Sequence, residues 1–211
     1  MPRLLAKLPE ERQQQAQWAV APQWGVKHEW HMASNFILPF YANMLRLRLP
    51  EAAGPADRPT PLSACRYDHG WLGDGATWKT PAPSIAPVAE FQGAAATACW
   101  LPDAYTAALW QAFVSHGGPV RIESPKPMKG SNPFVAYPAG KPLEVAVRVA
   151  DGFGAAKIEL FDGDRRLAEV DRTSHTATLE GLKPGIYGII AAATGDDGRA
   201  TYSPPHAVAV V

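Results

Sequence analysis

His28, Glu29 and His31 in the stretch GVKHEWHMASN are the residues best placed to do chemistry. Imidazole and carboxylate groups can hold a metal ion or move a proton. The metal reading fails on spacing. Zinc proteases set two histidines four apart on one helical face, whereas these are three apart, and His69, His116, His175 and His206 are scattered. No metal and no other cofactor is expected. Proton transfer needs a nucleophile on a tight strand-to-helix turn of the G-x-S-x-G kind. The sequence has no such string, and the nearest, SHGG at Ser115–Gly118 and GSNP at Gly130–Pro133, both follow His28.

The elements around these residues divide the chain in two. All seven tryptophans and both cysteines fall before residue 111. A loop-like run then extends from HGGP at His116 to SPKPMKGSNP at Ser124–Pro133, so the boundary is expected near residues 120 to 132. Behind it, PLEVAVRVA (Pro142–Ala150) and AKIELFDG (Ala156–Gly163) alternate apolar and polar residues, and turn signals recur every several residues. That is the pattern of an antiparallel sandwich. DGD at Asp162–Asp164 and GDDG at Gly195–Gly198 read as hairpin turns, with calcium binding at their aspartates the less favoured alternative. LKPGIYGI places Tyr187 where immunoglobulin-like and fibronectin-like sandwiches carry a tyrosine that bonds upstream backbone.

The front half is less regular. PRLLAKLPEERQQQ suggests a short helix interrupted at Pro9, and AQWAVAP a short strand. A helix is expected from about Ser34, its N-cap, to Leu49, with Phe36, Phe40, Met44 and Leu47 at helical spacing. A second helix is expected from Pro102 at its first position to Ser115, striped by Tyr105, Leu109 and Phe113. The tryptophans, Trp18, Trp24, Trp30, Trp71, Trp78, Trp100 and Trp110, are expected in the core rather than along a sugar-binding cleft. With no tryptophan of its own, the sandwich reads as a spacer or docking module rather than a sugar binder.

HEWHMASNFILPFYANMLRLRLP resembles a segment of secreted bacterial α/β-hydrolases of the planctomycete type. The likeness is carried by His28–Glu29, LPFY at Leu38–Tyr41 and RLP at Arg48–Pro50. GWLGD (Gly70–Asp74) and ATACWLPDAYTAALWQAFV (Ala96–Val114) extend it over residues 1–118. The resemblance implies that His28 is the general base of a serine triad whose nucleophile is missing, with Glu29 as a loop residue. It implies an α-rich, irregular C-terminal remnant of an α/β-hydrolase domain over residues 1–120. An all-β immunoglobulin-like or fibronectin-like sandwich follows over residues 130–211. The expected function is the C-terminal fragment or subunit of an esterase-like hydrolase, inactive alone. Its partner would be the missing N-terminal hydrolase core, its substrate a small ester, and its parent an exported protein. The alternative is a non-catalytic binding or adhesion module with the front segment as a packing cap.

Composition excludes other classes. Twenty basic residues balance twenty acidic ones, so no basic face for phosphate backbones, and no nucleic-acid partner, is expected. No apolar run is long enough for a membrane span, and the charged, glutamine-rich N-terminus is not read as a signal peptide. Cys65 and Cys99 are too few for a disulfide framework; one bridge or two unpaired thiols both fit.

Overall fold

A computed structural model describes residues 2–24, 34–49, 61–126 and 135–211. The elements run in chain order as α1 (Pro2–Gln13), α2 (Ser34–Arg48), β1 (Trp71–Gly73), β2 (Ile85–Pro87), β3 (Cys99–Leu101) and α3 (Ala104–Val114). Then come β4 (Val120–Ser124), β5 (Val135–Tyr137), β6 (Leu143–Val149), β7 (Ala155–Asp162) and β8 (Arg165–Glu169). The last are β9 (Thr176–Leu179), β10 (Gly185–Gly195), β11 (Ala200–Tyr202) and β12 (His206–Val210).

Period-two alternation builds the sandwich. In β6, Leu143, Val145 and Val147 are buried while Glu144 and Arg148 face solvent. Ile158 and Leu160 of β7 and Ala177 and Leu179 of β9 point the same way, because successive strand residues face opposite sides. They close one aliphatic core between a three-stranded sheet, β4-β6-β9, and a six-stranded sheet, β5-β12-β10-β7-β8, with β11 paired to the end of β10. Each large aliphatic buried there stabilises the fold by about 1.5–3 kcal/mol. Pairing is antiparallel except between β5 and β12. The phenol of Tyr187 donates to the carbonyl of Lys183 at 2.8 Å, the upstream backbone bond its position suggested.

The central strand β10 departs from simple alternation, and the reason lies in the front half. Its Ile189, Ala191 and Ala193 enter the sandwich core. Ile190, on the opposite face, packs against Tyr105, Leu109 and Ala112 of α3. A strand covered on both faces reads as a continuous apolar run, which is what GIIAAA is. The helices press close at Gly188. A Cβ there would lie 2.5 Å from Leu109 Cδ2 and 3.0 Å from Pro39 Cβ, so only glycine fits beneath α2 and α3. Asn43 of α2 donates to Asp103 Oδ2 at 2.8 Å and to Thr106 Oγ1 at 3.1 Å, tying the two helices together.

The α-rich hydrolase remnant is therefore not what forms. Strands dominate the described structure. Among the described residues, the front segment's strands form one three-stranded sheet, β2-β1-β3, each strand three residues long and antiparallel to its neighbour. An α/β-hydrolase needs a parallel sheet buried by helices on both faces. Here α2 and α3 instead cover the outer face of the sandwich's larger sheet.

Smaller expectations also shift. The helix over Pro2–Gln13 runs through Pro9, because Leu8 and Arg12, one turn apart, are both buried and anchor it. Arg12 donates to the carbonyls of Ala98 (3.1 Å) and Trp18 (2.8 Å). AQWAVAP lies beside β3 but forms no strand. The Cys99 thiol takes the backbone N–H of Val20 (3.3 Å), and the Trp110 indole donates to the Val20 carbonyl (2.8 Å). α3 starts two residues after Pro102, with Asp103 as N-cap accepting from Thr106 N at 2.8 Å. Cys65 and Cys99 are both free, and burial pushes the Cys99 thiol up to about 11.

Candidate functional site

His28, Glu29 and His31, the residues singled out for chemistry, lie outside the described residues. Ser34 opens α2. Among the described residues, no group of three or more His, Cys, Asp or Glu side chains converges as a metal site would, and no helix is long and apolar enough to cross a membrane.

Several other reactive side chains among the described residues serve the fold. Asp162 is buried at the DGD hairpin. Its Oδ1 accepts from the Tyr105 hydroxyl and from Gly188 N, both at 2.9 Å, and its Oδ2 pairs with Arg165 at 2.9 Å. Burial raises its pKa, while the Gly188, Tyr105 and Arg165 contacts oppose the rise. Burial, then the Asp162 charge, pushes the Tyr105 phenol well above its ordinary range. The His206 ring lies 2.7 Å from the carbonyl of Pro125, and burial lowers its pKa.

A different site opens at the far end of the sandwich. Three connections meet there: β6–β7, β8–β9 and β10–β11. They share an end because Ala155 at the start of β7 pairs with Gly195 at the end of β10, and because Ala146 of β6 pairs with Thr176 at the start of β9. Between them lies a cavity of about 370 Å³. Its apolar lining comes from Val149 and Phe153, over the buried Ile158. Its polar wall carries Asp151 from the first connection, Arg172 and His175 from the second, and Asp196 from the third.

Each connection is held by its own hydrogen bonds. In the second, the Asp171 carboxylate accepts from Thr173 N (2.9 Å), Ser174 N (2.7 Å) and Ser174 Oγ (3.0 Å). These bonds, Ser174's backbone first, hold the Asp171 pKa low. His175 closes the turn in the left-handed region, φ 55°, and its carbonyl accepts from Val147 N at 2.9 Å, fixing the turn to β6. A positive φ is uncommon outside glycine, with histidine among the residues enriched there. In the third, Gly195 N bonds Arg199 O and Gly198 N bonds Gly195 O, both at 3.0 Å. Asp196 leans over the first connection. A Cβ on Gly154 would stand 2.9 Å from its Oδ2, so the close approach depends on that glycine.

The polar groups of the cavity do not neutralise one another. The ion pairs within 4.0 Å among the described residues use other side chains. Of the polar residues lining the cavity, the sequence singles out His175 only as one of the scattered histidines and Asp196 only as turn chemistry. A usable signal was present: in an antiparallel sandwich alternate turns share an end, and Asp151, Arg172 and Asp196 fall on alternate turns.

A second, more apolar groove of about 230 Å³ lies under α2, lined by Trp18, Phe36, Phe40, Tyr41 and Trp100. Phe36 stacks on Phe113 with ring centroids 5.0 Å apart, so this groove continues into the core of the front segment.

No family model matches the chain, and no curated protein matches it. Solved structures with partial likeness include fibronectin(III)-like modules of CbhA from Clostridium thermocellum. There the identity is 28% and the TM-score 0.38, over 43% of this chain and 93% of that one. A lytic polysaccharide monooxygenase of Jonesia denitrificans is 18% identical at TM-score 0.31, over 40% of this chain and 63% of that one. The extracellular domain of a one-component system, BT4673, from B. thetaiotaomicron is 14% identical at TM-score 0.31, over 47% of this chain and 16% of that one. None of the three is an α/β-hydrolase. The antiparallel sheets correct the α/β-hydrolase resemblance and the hydrolase-remnant fold.

Proposed function

We propose that this chain is a non-catalytic binding module: an immunoglobulin-like sandwich with a helical cap on one sheet and a ligand site among the loops at one end. The observation that carries the reading is the loop-end cavity. Hydrogen-bonded turns present groups of both charge signs, without an ion pair among the described residues, beside an apolar lining. Binding residues are commonly set on loops held by a rigid scaffold, and ligand sites combine an apolar lining with a few convergent polar groups. The non-catalytic half of the reading rests on the buried groups. Cys99, Tyr105, Asp162 and His206 are committed to bonds within the fold.

The test is a screen of small polar and amphiphilic fragments against the isotope-labelled chain, read by backbone amide shifts. Hits that shift the amides of Asp151, Arg172 and Asp196 are expected. Hits confined to the groove under α2, or none at all, would overturn the reading.

A further inference from the structure

The loop-end cavity also constrains what it can hold. Carboxylates only accept hydrogen bonds, and a guanidinium only donates them. Asp151 and Asp196 come from the β6–β7 and β10–β11 connections, and Arg172 and His175 from β8–β9. Among the described residues none of these acids lies within 4.0 Å of Arg172 or His175, since the ion pairs there use other side chains. Opposite charges that border one cavity yet stand too far apart to pair leave room for a ligand that carries both.

From this juxtaposition we infer that the cavity binds a small zwitterion of the α-amino-acid class with an apolar side chain. The inference rests on the binding-module reading above and specifies its ligand. The ligand carboxylate meets Arg172, which can grip it through two parallel N–H bonds, with the His175 ring beside it. The ligand ammonium meets Asp196 and Asp151. The side chain lies on the partly buried Phe153 and Val149, where its burial adds about 25 cal/mol per Å² of apolar surface. The cavity, about 370 Å³, falls within the usual range for small-molecule sites, about 300–1,000 Å³.

The geometry also favours a preformed site. Asp171 locks the β8–β9 turn, and the backbone bonds of Gly195 and Gly198 lock β10–β11. Little loop ordering is left to oppose binding.

The experiment titrates L-phenylalanine into the full chain and follows the amide shifts of the three connections. N-acetyl-L-phenylalanine lacks the ammonium, L-phenylalaninamide lacks the carboxylate, and glycine lacks the side chain. Each is expected to bind at least about tenfold more weakly than L-phenylalanine, the loss of one charged hydrogen bond or of the apolar contact. Arg172→Gln and Asp196→Asn should each weaken L-phenylalanine by a similar factor with no change in melting temperature, and Arg172→Gln should not further weaken the amide. Equal binding of the four compounds overturns the zwitterion assignment. So does binding of a neutral disaccharide such as cellobiose without binding of L-phenylalanine, although the binding-module reading then stands. No shift at these amides with any compound of the screen overturns both.

Discussion

Two aspartate-rich hairpins, DGD at Asp162–Asp164 and GDDG at Gly195–Gly198, look alike in the sequence and serve opposite ends of the structure. At the first, Asp162 has a side chain only 5% exposed, sealed under α3 by the Tyr105 hydroxyl and the Gly188 amide. At the second, Asp196 borders an open cavity and spends none of its hydrogen-bonding capacity on the described side chains around it. The difference comes from the helical cap. A carboxylate is kept in a buried place only when donors are supplied there, and α3 supplies one at the first hairpin. A group held this way stabilises the fold, whereas one left facing a cavity is available to a ligand.

The comparison breaks most visibly at Asp162. Asp162→Ala leaves the Tyr105 hydroxyl and the Gly188 N–H buried without an acceptor. It should lower unfolding free energy by about 3 kcal/mol, read from the urea midpoint. Asp162→Asn is the sharper variant. Both buried bonds go to Oδ1, which an amide retains, and only the Arg165 pair is lost. Arg165 is 60% exposed, so solvent screens that pair and the loss should stay below about 1 kcal/mol. A loss as large as that of the alanine variant would mean that the charge, not the acceptor, holds the cap.

Gly188→Ala asks how tightly the cap lies on the sheet. The new methyl meets Leu109 and Pro39, and the cost expected from overpacking is about 1–3 kcal/mol in the same assay. A neutral result would show that α2 and α3 can lift away without loss.

Two pH effects of opposite sign distinguish the buried groups. Burial raises the folded pKa of Asp162 above its ordinary 3.8. The folded state then holds that proton more tightly than the unfolded chain, so this contribution to stability falls as pH rises from about 4 through the folded value. Burial lowers the folded pKa of His206 below 6.5. Its contribution is present above about 6.5 and is lost as pH falls through the folded value. Denaturation midpoints between pH 4 and 8 should therefore lose their low-pH decline in His206→Gln and their rising-pH decline in Asp162→Asn. An unchanged profile in either variant removes the corresponding assignment.

The smallest stability effect is expected at the open hairpin. Asp196→Asn should change stability by less than about 0.5 kcal/mol, as surface substitutions commonly do, while it weakens ligand binding. A large destabilisation would make Asp196 a second Asp162 and erase the contrast.

Much of the sandwich was legible beforehand. Leu143, Val145 and Val147 alternate with exposed neighbours, and Tyr187 follows a Pro-Gly turn, so local pattern and fold agree. The front half misled for a physical reason. Its apolar residues, such as Leu109 and Pro39, are matched to a sheet remote in the chain, and nothing in their own spacing names that partner. The cavity was harder to read for a similar reason: Asp151, Arg172 and Asp196 each look like ordinary turn chemistry, and only their place on alternate turns hints that the strands bring them to one end.

From the sequence alone came the sandwich strands from β6 onward, two of the helices, the hairpin turns and the tyrosine that closes its corner, because these follow from side-chain period and backbone preference over a few residues. The tertiary structure alone decided that α2 and α3 cap the larger sheet, that β10 is covered on both faces, and which aspartate is buried and which faces a cavity. Those outcomes depend on contacts between residues tens of positions apart, where burial and the supply of hydrogen-bond donors, not local propensity, set the free energy.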